Sequence, residues 1–181
     1  MAVLPILIAP DPRLKAKSRP VPAVDAAVRR LMDDMLETME DADGIGLAAP
    51  QVGVLKRVIV VAAPRGDEDD DGEGRSRAPL CMANPEIVWA SDDDEVREEG
   101  CLSLPEHYAE VCRPARVRVR YLDETGTSRE IEADGLLGTC IQHEIDHLDG
   151  VLFVDHISAL KRGMILRKLL KTKKLNGAAV G

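Results

Sequence analysis

The chain has 181 residues, 45% of them hydrophobic but only 2% aromatic, and a formal net charge of −8. That length sets the expectation of one domain, 1–181, with an aliphatic core of Leu, Val, Ile, Met and Ala. Four cysteines, Cys81, Cys101, Cys112 and Cys140, form no CxxC pair and are expected to stay reduced.

The first stretch, MAVLPILIAPDP, has no basic leader and is broken by Pro5 and Pro10. It is too short for a signal peptide or a membrane span, so a cytoplasmic protein with no membrane partner is expected. Residues 3–9 read as a short strand or extended arm, and Pro20 and Pro22 as an extended linker. From about Val24 to Glu40, Val28, Leu31, Met32, Met35, Leu36 and Met39 recur at helical spacing. Methionine fills irregular gaps well, so this face reads as core rather than as a binding groove.

The run GIGLAAPQ, residues 44–51, has small residues that let another backbone approach closely. It matches neither phosphate-loop signature. A plain turn accounts for its glycines but not for Gln51, whose amide can donate toward a reacting oxygen. Val58 to Ala62 is a β-branched strand. Residues 64–79 carry Asp67, Glu68, Asp69, Asp70 and Asp71, which repel one another. They read as an acidic surface loop, without the spacing of a calcium-binding loop.

Leu80 to Ala90 and Glu95 to Glu98 read as strands, with Asp92, Asp93 and Asp94 as their turn. Val117, Val119 and Tyr121 alternate with Arg116, Arg118 and Arg120, a half-buried strand whose basic side reads as a solvated face. A turn at Thr125–Ser128 and a returning arm, Arg129 to Ala133, complete a hairpin.

One helix is expected between Asp134, as cap, and Gly150, as left-handed stop. On it His143 and His147 lie one turn apart on one face, and Glu144 follows the first. This HExxH arrangement can hold one transition-metal ion, with the glutamate in reach of a coordinated water. Leu136, Thr139, Cys140 and His143 share one stripe, and three of the chain's four histidines fall between Gln142 and His156. A catalytic centre needs a third protein ligand. Phe153 stands where a further histidine of one protease pattern would be, and no acidic residue follows Asp155, so a metalloprotease is disfavoured. The third ligand lies upstream, among many carboxylates and a few cysteines. Cys101, in Glu98-Glu99-Gly100-Cys101-Leu102-Ser103, has an unusual setting.

From His156 to about Lys174 a last helix is expected. Ile157, Leu160, Ile165 and Leu169 would face the body, and residues 175–181 would fray. This end carries seven Lys or Arg and no Asp or Glu up to Gly181, which suggests a polyanionic partner.

Three motifs stand in order: Gly44-Ile45-Gly46-Leu47-Ala48-Ala49-Pro50-Gln51, Glu99-Gly100-Cys101-Leu102-Ser103 and Gln142-His143-Glu144-Ile145-Asp146-His147. Together they resemble the peptide deformylases, over nearly the whole chain. The resemblance implies an α+β fold: antiparallel or mixed sheets packed around the HExxH helix, with an N-terminal and a C-terminal helix. It implies a metal held by Cys101, His143 and His147, ferrous iron in the cell, with zinc, nickel or cobalt as alternatives. One thiolate and two neutral imidazoles leave a divalent ion one net positive charge.

Glu144 would be the base, and Gln51 and the Leu102 N–H would hold the oxyanion. The reaction implied is removal of the formyl group from N-formylmethionyl peptides. Ile45, Leu136, Thr139 and Cys140 would line the methionine pocket, with the peptide backbone between Ile45–Gly46 and Gly100. Thr139 replaces an isoleucine common in the family, and Tyr108 an arginine. The resemblance also implies ribosome docking near the tunnel exit through the C-terminal helix, by a monomer. A ribosome-associated binding protein with a structural metal is the rival class; intact Glu144 and Gln51 argue against it.

Overall fold

The computed structural model describes residues 1–63 and 78–179, with side chains to 175. The acidic stretch expected at 64–79 falls almost wholly outside the described residues. The order is α1 (Ala26–Asp41), β1 (Gly46–Ala48), β2 (Val58–Val61), β3 (Leu80–Ala90), β4 (Asp94–Cys101), β5 (Leu104–Pro114), β6 (Arg116–Leu122), β7 (Ser128–Asp134), α2 (Gly135–Leu148) and α3 (Ala159–Ala179). The fold is α+β, as the resemblance implies, and all its ladders are antiparallel. One sheet runs β1-β2-β3-β6-β7; the other is the hairpin β4-β5.

The five-stranded sheet is covered by α2 on one face and, along β1–β3, by α1 on the other, and β2 explains how. Successive strand side chains point to opposite faces. Val58 and Val60 join Val28, Met32, Met35 and Met39 of α1. Ile59 and Val61 join Leu137, Ile141, Ile145 and Leu148 of α2. The methionines of α1 are thus a core face. Asp25 caps α1 by accepting from the Val28 N–H at 2.9 Å. A third cluster, with Leu104, Val111, Phe153, Val154 and Leu169, ties the hairpin to the chain after α2.

Of the two readings of residues 3–9, the structure has the extended arm: Leu4 N–H donates to Thr38 Oγ1, Leu7 N–H to the Gln51 carbonyl and Ala9 N–H to the Ser103 carbonyl, at 2.9, 2.7 and 2.9 Å. Other features differ from the sequence reading. Strand β5 has no counterpart in the reading, because Pro105, Pro114 and scattered charges hide its alternation; it forms by pairing along all of β4. The Asp134 side chain makes no capping bond, because Asp134 ends β7 opposite Arg116.

The last helix begins at Ala159, after a short 3-10 turn at Phe153–His156, and runs to Ala179, past the expected fraying point. Leu160 is 71% exposed rather than facing the body, whereas Leu169 is buried. The strand arginines pair outward: Arg118 meets Glu132 at 3.2 Å, and Arg120 meets Glu130 at 3.7 Å.

Met35 is fully buried between α1 and the sheet. Met35→Ala is expected to cost about 2–5 kcal/mol, read as a lower urea midpoint with an unchanged slope.

Candidate metal centre

Helix α2 brings His143 and His147 to one face, and the tight turn of the β4–β5 hairpin brings Cys101 against them. Ligand-competent atoms of the three lie within 4.8 Å of one another. A tetrahedral centre with bonds of about 2.3 Å to sulfur and about 2.0–2.1 Å to nitrogen places those donors about 3.6 Å apart. Cys101 Sγ and His147 Nε2 stand 3.4 Å apart, the spacing a bound metal would need for that pair, so the donor set fits a metal. His147 is 1% exposed and lies behind the other two ligands. The His143 ring stacks on Phe153 at 6.2 Å.

The surroundings prepare the donors. Glu99 Oε1 accepts from His143 Nδ1 at 2.9 Å, which leaves Nε2 for a metal. Arg113 grips Glu99 through Nε and Nη2 at 2.7 and 2.9 Å, and reaches Asp146 through Nη1 at 2.8 Å. His156 donates to the same Asp146 oxygen at 2.8 Å. Burial raises the Glu99 pKa, but the Arg113 and His143 bonds outweigh it and hold the carboxyl near 2. Burial works against protonating His143; without metal, its bonds to Cys101 and Glu99 prevail and push its pKa well up. Burial, then the His143 charge, pushes His147 well down, so it stands as a neutral imidazole, the form that could bind a metal.

Glu144 is buried one residue along from His143, and its Oε2 has no hydrogen-bond partner among the described residues. Desolvation raises its pKa to about 7. Gln51 is 1% exposed; its Oε1 accepts from the Ala48 N–H at 2.9 Å. That fixes Nε2, which donates to Ser103 Oγ at 3.1 Å and approaches Cys101 Sγ at 3.5 Å. The carbonyl of Gln51 and that of Ser103 are the two the N-terminal arm holds.

All of this opens on a cavity of about 440 Å³ lined by Ile45, Gly46, Gln51, Gly100, Cys101, Leu102, Leu136, Thr139, Cys140, His143 and Glu144. Every residue singled out from the sequence is on its wall except His147. A Cβ on Gly46 would meet Glu144 Oε1 at 2.6 Å and Cys140 Sγ at 2.7 Å, so only glycine lets β1 pass so close to α2. Tyr108 lies across the hairpin from Gly100, with its ring against that glycine, and is 64% exposed at the cavity mouth. The sequence reading gave no role to Arg113, Asp146 or Ser103. A lone arginine inside a strand carries no periodic signal, and only the fold reveals its burial.

Residues 3–163 match the family model described as polypeptide deformylase. The chain belongs to that family. It is 59% identical to the peptide deformylase of Methylocella silvestris over 97% of this chain and 88% of that protein. It is 53% identical to that of Rhizobium meliloti over 98% of both. The crystal structure of peptide deformylase from Ehrlichia chaffeensis, 44% identical, superposes with a TM-score of 0.89 over 97% of this chain and 99% of that one. A second structure of that protein, in complex with actinonin, gives 0.87 over 95% and 98%.

Two outcomes follow for a deformylase built this way. Arg113→Met leaves Glu99 buried with only the His143 N–H as partner and is expected to cost roughly 3–5 kcal/mol in urea unfolding, partly recovered when Glu99→Gln is added. In metal-free protein, Glu144 binds its proton more tightly folded than unfolded, so wild type loses stability as pH rises from 4.5 to about 7. Glu144→Gln removes that loss. Its advantage over wild type is expected to grow across the same window to on the order of 3 kcal/mol, read from thermal unfolding at several pH values.

Proposed function

We propose that this chain, acting as one catalytic domain, removes the formyl group from formylmethionyl nascent peptides through the residues gathered at the cavity. The observation that carries this reading is the unpartnered Glu144 carboxylate, set beside a Cys-His-His donor set on the same cavity wall as the Gln51 amide. A purely structural metal site has no use for either group.

Cys101, His143 and His147 would hold one divalent ion, with ferrous iron the cellular choice and zinc, nickel or cobalt accepted by the same donors. Such an ion supplies Lewis acidity that makes a water molecule nucleophilic near neutral pH. Glu144 takes the water proton as oxygen adds to the formyl carbon. Gln51 Nε2 and the Leu102 N–H, which has no acceptor among the described residues, donate to the formyl oxygen as charge develops there. Glu144 then delivers the proton to the departing nitrogen. Formate and a peptide with a free amino terminus leave.

The peptide is held as an added strand. β1 is an edge of its sheet, and β4 pairs only with β5 among the described residues, so a peptide would run between the Ile45–Gly46 segment on one side and Gly100 on the other. The methionine side chain enters between Ile45, Leu136, Thr139 and Cys140.

Among the described residues no helix is long and apolar enough to cross a membrane. A cytoplasmic monomer fits this reading, with the basic face of α3 (Lys161, Lys168, Lys171) docking near the ribosomal tunnel exit. The decisive experiment measures formate from formyl-Met-Ala-Ser with anaerobically iron-loaded protein. Wild type is expected to turn over. Glu144→Ala at equal metal content is expected to lose at least about 100-fold, and actinonin to inhibit. One metal per chain with no formate would overturn the reading.

A further inference from the structure

Each of the three helices carries one threonine. Thr38 and Thr172 close their hydroxyls on the carbonyls of Asp34 and Lys168, four residues back, at 2.6 and 3.0 Å. This is the usual resting place of a helical threonine hydroxyl. Thr139 makes no such bond and no other side-chain hydrogen bond among the described residues. It is half-buried and lies on the cavity wall, one turn before His143.

Its neighbours on that wall give nothing comparable. Leu136 and Ile45 are apolar. The Cys140 thiol is engaged with the Ile45 carbonyl at 3.5 Å. Among Ile45, Leu136, Thr139 and Cys140, the residues that would take the methionine side chain, Thr139 alone holds a free hydroxyl donor, and a donor there is useful only to a side chain that carries an acceptor.

We infer that Thr139 is a specificity-determining residue. Its hydroxyl lets the pocket take a first side chain bearing an oxygen acceptor at the sulfur position, so that the protein deformylates peptides beginning with formylmethionine sulfoxide as well as formylmethionine. The inference rests on the deformylase reading above. Methionine sulfoxide has nearly the shape of methionine but presents a strong acceptor. In a wholly apolar pocket that oxygen would be buried without a partner, at a cost in binding. The sulfoxide itself is unchanged in the reaction: water is consumed, the formyl C–N bond breaks, and formate leaves.

The test compares formate release from formyl-Met-Ala-Ser and formyl-Met(O)-Ala-Ser by iron-loaded wild type, Thr139→Val and Thr139→Ser. Valine keeps the shape and removes the hydroxyl; serine keeps the hydroxyl and guards against damage to the fold. Wild type is expected to process both peptides. The ratio of kcat/KM for sulfoxide over thioether is expected to fall about five- to tenfold in Thr139→Val and to recover in Thr139→Ser. Competitive inhibition by the deformylated products Met-Ala-Ser and Met(O)-Ala-Ser should follow the same order. An unchanged ratio in Thr139→Val, or wild type that cleaves only the thioether peptide, overturns the inference and leaves the deformylase reading standing. No formate from either peptide overturns both.

Discussion

Arg113 joins the two halves of the centre. It is the only Lys or Arg buried among the described residues, and it spends its guanidinium on Glu99 of β4 and Asp146 of α2. Two imidazoles and a carboxyl have been carried into an apolar interior on one helix, and ionised groups there are costly unless paired. The Arg113 charge keeps Glu99 ionised. Glu99 in turn fixes the His143 ring and leaves its far nitrogen free. Glu144, excluded from this clamp, is the carboxylate left without a partner, and its raised pKa is a consequence of that exclusion.

The cavity is shaped by what is missing as much as by what is present. Gly46 allows an edge strand to lie against Glu144 and Cys140 at a separation no side chain would permit. The same strand is an edge of its sheet. Packing of β2 on both faces holds β1 in place. The catalytic geometry is therefore set by the buried sheet and its two flanking helices.

The sequence made the long periodic pieces legible. The methionine stripe of α1 and the histidine spacing of α2 are helical repeats that survive in any context. What stayed hidden depends on partners. β5 has two prolines and mixed charge, and it is a strand because β4 lies beside it. Asp134 looks like a cap, but it ends β7 opposite Arg116. Leu160 is expected to face the body with Leu169, but nine residues of α-helix set the two on opposite sides of α3, so burying Leu169 turns Leu160 outward. The motif residues were readable because chemistry dictates their types. The Arg113 clamp was not, since burial of a single charged residue depends on the whole fold.

The N-terminal arm touches the centre without entering it. Two amide hydrogens, of Leu7 and Ala9, hold the carbonyls of Gln51 and Ser103, residues that are themselves hydrogen-bonded beside Cys101. These bonds are made by backbone alone, so they constrain the course of the chain, with proline forbidden at positions 7 and 9 because it brings no hydrogen. The side chains of Ile6, Leu7, Ile8 and Ala9 add a second constraint by packing into the core. A segment held in both ways tolerates neither shortening nor a one-residue slip.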